Sequence, residues 1–193
     1  MYFKSFEYNK VNTFYDKNGF IVIKNFLNQD QIKKIKIKIN IKKKKFEKKF
    51  SYFEKIEKKP KLRRIEKISE QLIDVKKLVN SKKIFNLLKT LTKKKNVLFK
   101  DKLNFKHPGG KGYAPHVDGH FYWRDKYNKV KQGWSIYSNS FTNVVIPLER
   151  TDKNNGCLYL SSKKNLRKLG KNWSEVTEKL DKFTPNIKKK YLK

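Results

Sequence analysis

The feature that most limits the folds open to this chain is a change of hydrophobic period near Asn96. Before it, apolar residues recur at helical spacing: Ile32, Ile35, Ile39, Phe46, Phe50 and Phe53, then Leu62, Ile65, Ile68, Leu72 and Val75, then Ile84, Phe85, Leu87, Leu88 and Leu91. After it come short apolar runs bounded by turn residues: Val97–Phe99, Leu103–Phe105, Tyr113–Trp123, Phe141–Leu148 and Cys157–Leu160. Helices followed by successive strands predict an α+β chain whose β part is a sandwich or a barrel-like jelly roll. The 193 residues amount to one domain. It is expected to divide into a strand and helical scaffold over 1–95, a β core over 96–162 and a lysine-rich connecting segment over 163–193.

Local signals sharpen this outline. Asn18-Gly19 marks a turn, and Phe20-Ile21-Val22-Ile23 reads as a short buried strand. Asn28 suits a helix N-cap, with Gln31 at the capping-box position. The alternation Ile35, Ile37, Ile39, Ile41 would equally suit a strand, but the cap and the length of the pattern favour helix. Pro60 is expected to break this helix, and Ser81 to cap a third. Asp152-Lys153-Asn154-Asn155-Gly156 is a strong turn signal, and Trp173–Leu180 has weak helical potential.

The formal charge of +33 could signal a nucleic acid or an anionic membrane as partner. The excess is nearly all lysine, however; Arg63, Arg64, Arg124, Arg150 and Arg167 are the only arginines. Readers of bases and phosphates lean on the bidentate guanidinium. Lys, Ile, Asn, Phe and Tyr are enriched together, as A+T-rich coding DNA would dictate. Nucleic acid is therefore not the expected partner, although a non-catalytic basic module for polyanions is the alternative function. No apolar stretch approaches the roughly 20 residues of a membrane span. The first residues lack the apolar core of a signal peptide. Cys157 stands alone, so it forms no internal disulfide and fits a reducing cytosol. A soluble cytoplasmic protein is expected.

Chemistry concentrates at His116-Val117-Asp118, between a glycine-rich bend (Pro108-Gly109-Gly110-Lys111-Gly112) and the aromatic run Phe121-Tyr122-Trp123. On an extended strand, residues i and i+2 project from one face, so an imidazole and a carboxylate point at one place. With a further histidine they would form the facial triad that holds non-haem Fe(II). No histidine follows His120. His120 would share the face of His116 but lie roughly 13 Å from it along a continuous strand, too far for one metal without a bulge at Gly119. His107, ahead of the glycine bend, reads as a surface or turn residue.

In this order and spacing the motifs resemble the phytanoyl-CoA dioxygenase-like family of Fe(II)/2-oxoglutarate-dependent oxygenases. Asn18–Leu27 is similar to the family's opening strand and helix entry, and Leu103-Asn104-Phe105-Lys106 with its Pro-Gly bend to the strand before the metal motif. His116-x-Asp118 with Tyr122-Trp123, and Asn154-Asn155-Gly156-Cys157-Leu158, resemble its metal motif and its following hairpin. The resemblance implies a double-stranded β-helix with Fe(II) at its open end, bound by His116 and Asp118. It implies contacts to 2-oxoglutarate from Asn104, Lys100 and Tyr113, and a substrate mouth lined by Tyr122 and Trp123. The implied reaction consumes O2 and 2-oxoglutarate, releases succinate and CO2, and hydroxylates a C–H bond of a small molecule. The family's distal histidine and its 2-oxoglutarate-pairing arginine have no counterpart after Gly156, where Ser161-Ser162-Lys163-Lys164 stands. The sequence thus reads as a version cut short before the closing strands. Self-association, or a complementing chain, would then cover the unpaired strand edges.

Overall fold

A computed structural model describes residues 8–112, 118, 122–134, 136–163, 177–179 and 185–187. They fall in two compact units. The first runs to Lys111 and takes in Pro147–Leu158; the second comprises Gly112–Ile146 and residues from Tyr159 onward.

In the first unit, helix α1 (Tyr8–Asn18) packs on α5 (Lys82–Thr92). Val11 is fully buried against Leu91, with Phe14, Tyr15, Ile21 and Leu87 around them. Asn18-Gly19 ends α1. Gly19 takes φ +81°, open to a residue without Cβ, and its N–H donates to the Tyr15 carbonyl at 2.7 Å. The expected strand over Phe20–Ile23 is reduced to a single bridge at Ile23.

Helix α2 (Gln29–Lys42) starts where its cap predicts, since the Asn28 side chain accepts from the N–H groups of Asp30 and Gln31. Ile32, Ile35 and Ile39 are buried, whereas Ile37 and Ile41 are exposed. A strand would have put Ile35, Ile37, Ile39 and Ile41 on one face, so burial decides for the helix. The helix is shorter than expected. Phe46 is buried beyond its end, Phe50 closes a 3-10 turn (Lys48–Phe50), and Phe53 lies in a strand.

A three-stranded antiparallel sheet follows, in the order β1 (Ser51–Ile56), β2 (Lys59–Glu66), β3 (Lys102–Asn104). It corrects the helix expected around Leu62 and Ile65. Both residues are buried as the pattern requires, but in β2. Two features hid the hairpin. A register shift between Tyr52 and Phe53 interrupts the two-residue alternation. Pro60 sits where β2 pairs only with Lys55 of β1, because β3 joins β2 only from Arg64 to Glu66. Ile68, Leu72, Val75 and Leu78 continue the core from the short helices α3 (Ile68–Gln71) and α4 (Ile73–Val79). The Asp101 carboxylate accepts from the Ser69 N–H (2.9 Å) and hydroxyl (2.8 Å), which fastens the start of α3 to the approach of β3. Ser81 caps α5 as expected, accepting from the Ile84 N–H.

In the second unit, β4 (Tyr122–Arg124) and β5 (Val130–Gln132) form a hairpin. Its loop is tied by Asp125 Oδ1, which accepts from the N–H groups of Tyr127 and Lys129. A small pair, β6 (Thr177–Lys179) with β7 (Pro185–Ile187), puts strand where weak helix was expected at 177–179. Val97–Phe99, Phe141–Leu148 and Cys157–Leu160 lie outside any strand. Val97 is 79% exposed, Val145 62% and Tyr159 77%. Apolar patterning marks a segment fit for a strand, but a strand also needs a paired neighbour to persist in water. The architecture is mixed α and β in small sheets, with no closed barrel among the described residues.

Candidate metal centre

The path to the metal motif is laid down on the first sheet. Beyond β3 the Phe105 N–H donates to the Arg63 carbonyl at 2.8 Å, and the His107 ring Nε2 lies 2.8 Å from the Leu62 carbonyl oxygen. Phe105 and His107 stack nearly parallel, 6.3 Å between ring centres. These contacts give His107 a structural task, in keeping with its reading as a turn residue. The bend closes with the Gly110 N–H donating to the His107 carbonyl, and Gly109 adopts φ +74°. Lys106 meanwhile reaches the Gly156 carbonyl with its ammonium. Gly156 takes φ +80°, which favours a residue without Cβ, and an added Cβ would press on Lys106 Cδ at 3.0 Å.

Of the expected metal ligands, Asp118 lies among the described residues; His116 lies outside them, as do His120 and Tyr113. Asp118 is exposed in a turn, and its Oδ2 accepts from Asn143 Nδ2 at 2.6 Å. Asn143 was missed at the sequence level. Its one signal is an amide inside the apolar run Phe141–Leu148, although Asn143 itself is exposed. Tyr122 and Trp123 are neighbours on β4 and so project to opposite faces. Tyr122 is exposed, whereas Trp123 is half-buried and its indole N–H donates to the Gly133 carbonyl at 2.7 Å. Trp134 packs edge-on against Phe141, 5.2 Å between ring centres.

The residues expected to face 2-oxoglutarate lie in the first unit. Asn104 is exposed at the end of β3, opposite Arg64. Lys100 is exposed on the approach to β3, its ammonium 5.7 Å from the centre of the Phe99 ring. Among the described residues no three His, Cys, Asp or Glu side chains gather as a metal set.

The chain belongs to a dioxygenase family. The model of phytanoyl-CoA dioxygenase (PhyH) matches residues 15–191. Among curated proteins, the chain is similar to Dioxygenase lolE1 of Epichloe uncinata, 32% identical over 93 residues, which is 48% of this chain and 32% of that protein. It is also similar to a 2-aminoethylphosphonate dioxygenase from an uncultured bacterium (HF130_AEPn_1), 26% identical over 98 residues, or 51% of this chain and 33% of the relative. The matches thus span about a third of each relative's length. No solved structure matches the chain.

Proposed function

We propose that this chain serves an Fe(II)/2-oxoglutarate-dependent dioxygenase that hydroxylates a small molecule, within a double-stranded β-helix. His116 and Asp118 are the metal ligands in this reading. Asn104, Lys100 and Tyr113 contact 2-oxoglutarate, and the exposed Tyr122 borders the substrate, while Trp123 projects from the opposite face of β4 and braces the strand through Gly133. The observation that carries the proposal is His-x-Asp standing directly after the glycine bend, inside the stretch that the family model matches.

The residues suit the metal in kind. An imidazole and a carboxylate two positions apart are the hard and borderline donors that Fe(II) prefers. Asn143, donating to Asp118 Oδ2, is the kind of outer partner that fixes the angle of a ligating carboxylate. The third protein ligand is not assigned within these 193 residues. When bound, iron and 2-oxoglutarate supply the activation of O2 and the oxidising equivalents. The chain's own residues bind the metal, orient the co-substrate and place the C–H bond. The phosphonate in one relative's name supports a substrate with an anionic group, which Lys111 and Lys126 beside the motif would suit.

Thermal unfolding tests the proposal. A ligand bound only by the folded state raises stability by about 2.7 kcal/mol at a hundredfold excess over its Kd. Fe(II) with 2-oxoglutarate, added without oxygen, is expected to raise Tm in the wild type and not in Asp118→Ala. No shift in the wild type, or an equal shift in the variant, would contradict it.

A further inference from the structure

The bend ahead of the metal motif is held by a side chain from another element. Glu54 lies on β1, and its Oε2 accepts from Arg63 Nη1 at 2.5 Å and from the Lys111 backbone N–H at 3.2 Å. The Arg63 and Glu54 side chains are only 20% and 12% exposed. Withdrawn from water in this way, charge-assisted hydrogen bonds are stronger and more directional than at the surface. The fit is also steric. A Cβ on Gly110 would stand 2.7 Å from Glu54 Oε1, and one on Gly109 would stand 3.3 Å from Ile56 Cγ2. Together with the Phe105 and His107 contacts, the chain from β3 to Lys111 is tied to the β1–β2 hairpin at three points.

Resting on the metal reading above, we propose that Glu54 is a positioning residue for the metal-ligand segment. By fixing the backbone at Lys111 it sets the point from which the chain runs to His116, five residues on. A ligand segment that starts from a fixed backbone loses less conformational freedom on binding than one that starts from a loose bend, so affinity is gained by preorganisation. Glu54 acts through the bend.

The test is titration with Mn(II) alone, following the free ion by electron paramagnetic resonance, with folding checked by circular dichroism. Glu54→Ala is expected to weaken Mn(II) binding by about tenfold or more. Glu54→Gln, whose amide oxygen still accepts from the Lys111 N–H, is expected to lose less. Gly110→Ala drives a methyl into the carboxylate and is expected to weaken binding while leaving both charges of the pair in place. In Glu54→Ala/Gly110→Ala the clash with the carboxylate is gone and only the 3.0 Å approach to the His107 carbonyl oxygen remains, so the double variant should lose less than the sum of the two. Folded Glu54→Ala and Gly110→Ala that bind Mn(II) as tightly as the wild type, while Asp118→Ala does not, overturn the role of Glu54 alone. Wild-type protein that takes up no more Mn(II) than Asp118→Ala overturns the metal reading and the role of Glu54 with it.

Discussion

Asn143 and Asp118 lie 25 positions apart in sequence and 2.6 Å apart in space, which makes the amide a control on the carboxylate's orientation. Asn143→Ala is expected to keep the fold and to weaken metal binding by about tenfold, as loss of an outer partner does elsewhere; isothermal titration checks it, and unchanged affinity would deny Asn143 that part. A second carboxylate has a purely structural role. Asp74 is held below the usual carboxylate range, first by its hydrogen bond from Lys38 Nζ at 2.6 Å and further by the charges of Lys38 and Lys77. A folded-state value below the unfolded one adds stability that is present at neutral pH and lost as pH falls through the folded value. Acid unfolding of Asp74→Asn should therefore differ from the wild type near neutral pH and converge with it below the carboxylate range. Sequence spacing singled out His116 and Asp118 through the i, i+2 geometry of an expected strand, whereas Asp118 lies in a turn and His116 outside the described residues. It was silent on Asn143 and Glu54, whose partners are met only through folding.

The capped helix starts were the most legible elements. Asn28 and Ser81 act through their own side chains on N–H groups two or three residues on, so the signal is local. The β1–β2 hairpin was illegible, and its turn shows why. Glu57 and Lys58 both take positive φ, +50° and +65°, in a two-residue turn that ordinarily asks for Asn-Gly. Neither residue advertises a turn, and each carries the cost of left-handed backbone. Replacing Glu57-Lys58 with Asn-Gly is expected to stabilise the fold by about 1 kcal/mol, read from urea unfolding. A loss of stability would mean that the turn is not of this type. The segments Val97–Phe99 and Phe141–Leu148 failed in the opposite sense, since their β pattern is plain but pairing depends on a neighbour that periodicity cannot name.

Over the whole chain the charge of +33 is carried mostly by lysine, and among the described ion pairs Lys36–Glu149, Lys49–Glu47 and Lys67–Glu70 are exposed enough to contribute little. Glu54 with Arg63 is the most buried of the described ion pairs, joined by Arg63 Nη1 to Glu54 Oε2 at 2.5 Å. No helix among the described residues is long and apolar enough to cross a membrane. Family membership was legible because several short motifs stand in the family's order over most of the chain, a far rarer event than any one of them. In the proposed function His116 and Asp118 bind one metal ion together with 2-oxoglutarate. Visible absorption after anaerobic addition of Fe(II) and 2-oxoglutarate reads this out. A charge-transfer band is expected in the wild type and not in His116→Ala or Asp118→Ala; no band in the wild type, or the same band in both variants, would overturn the assignment.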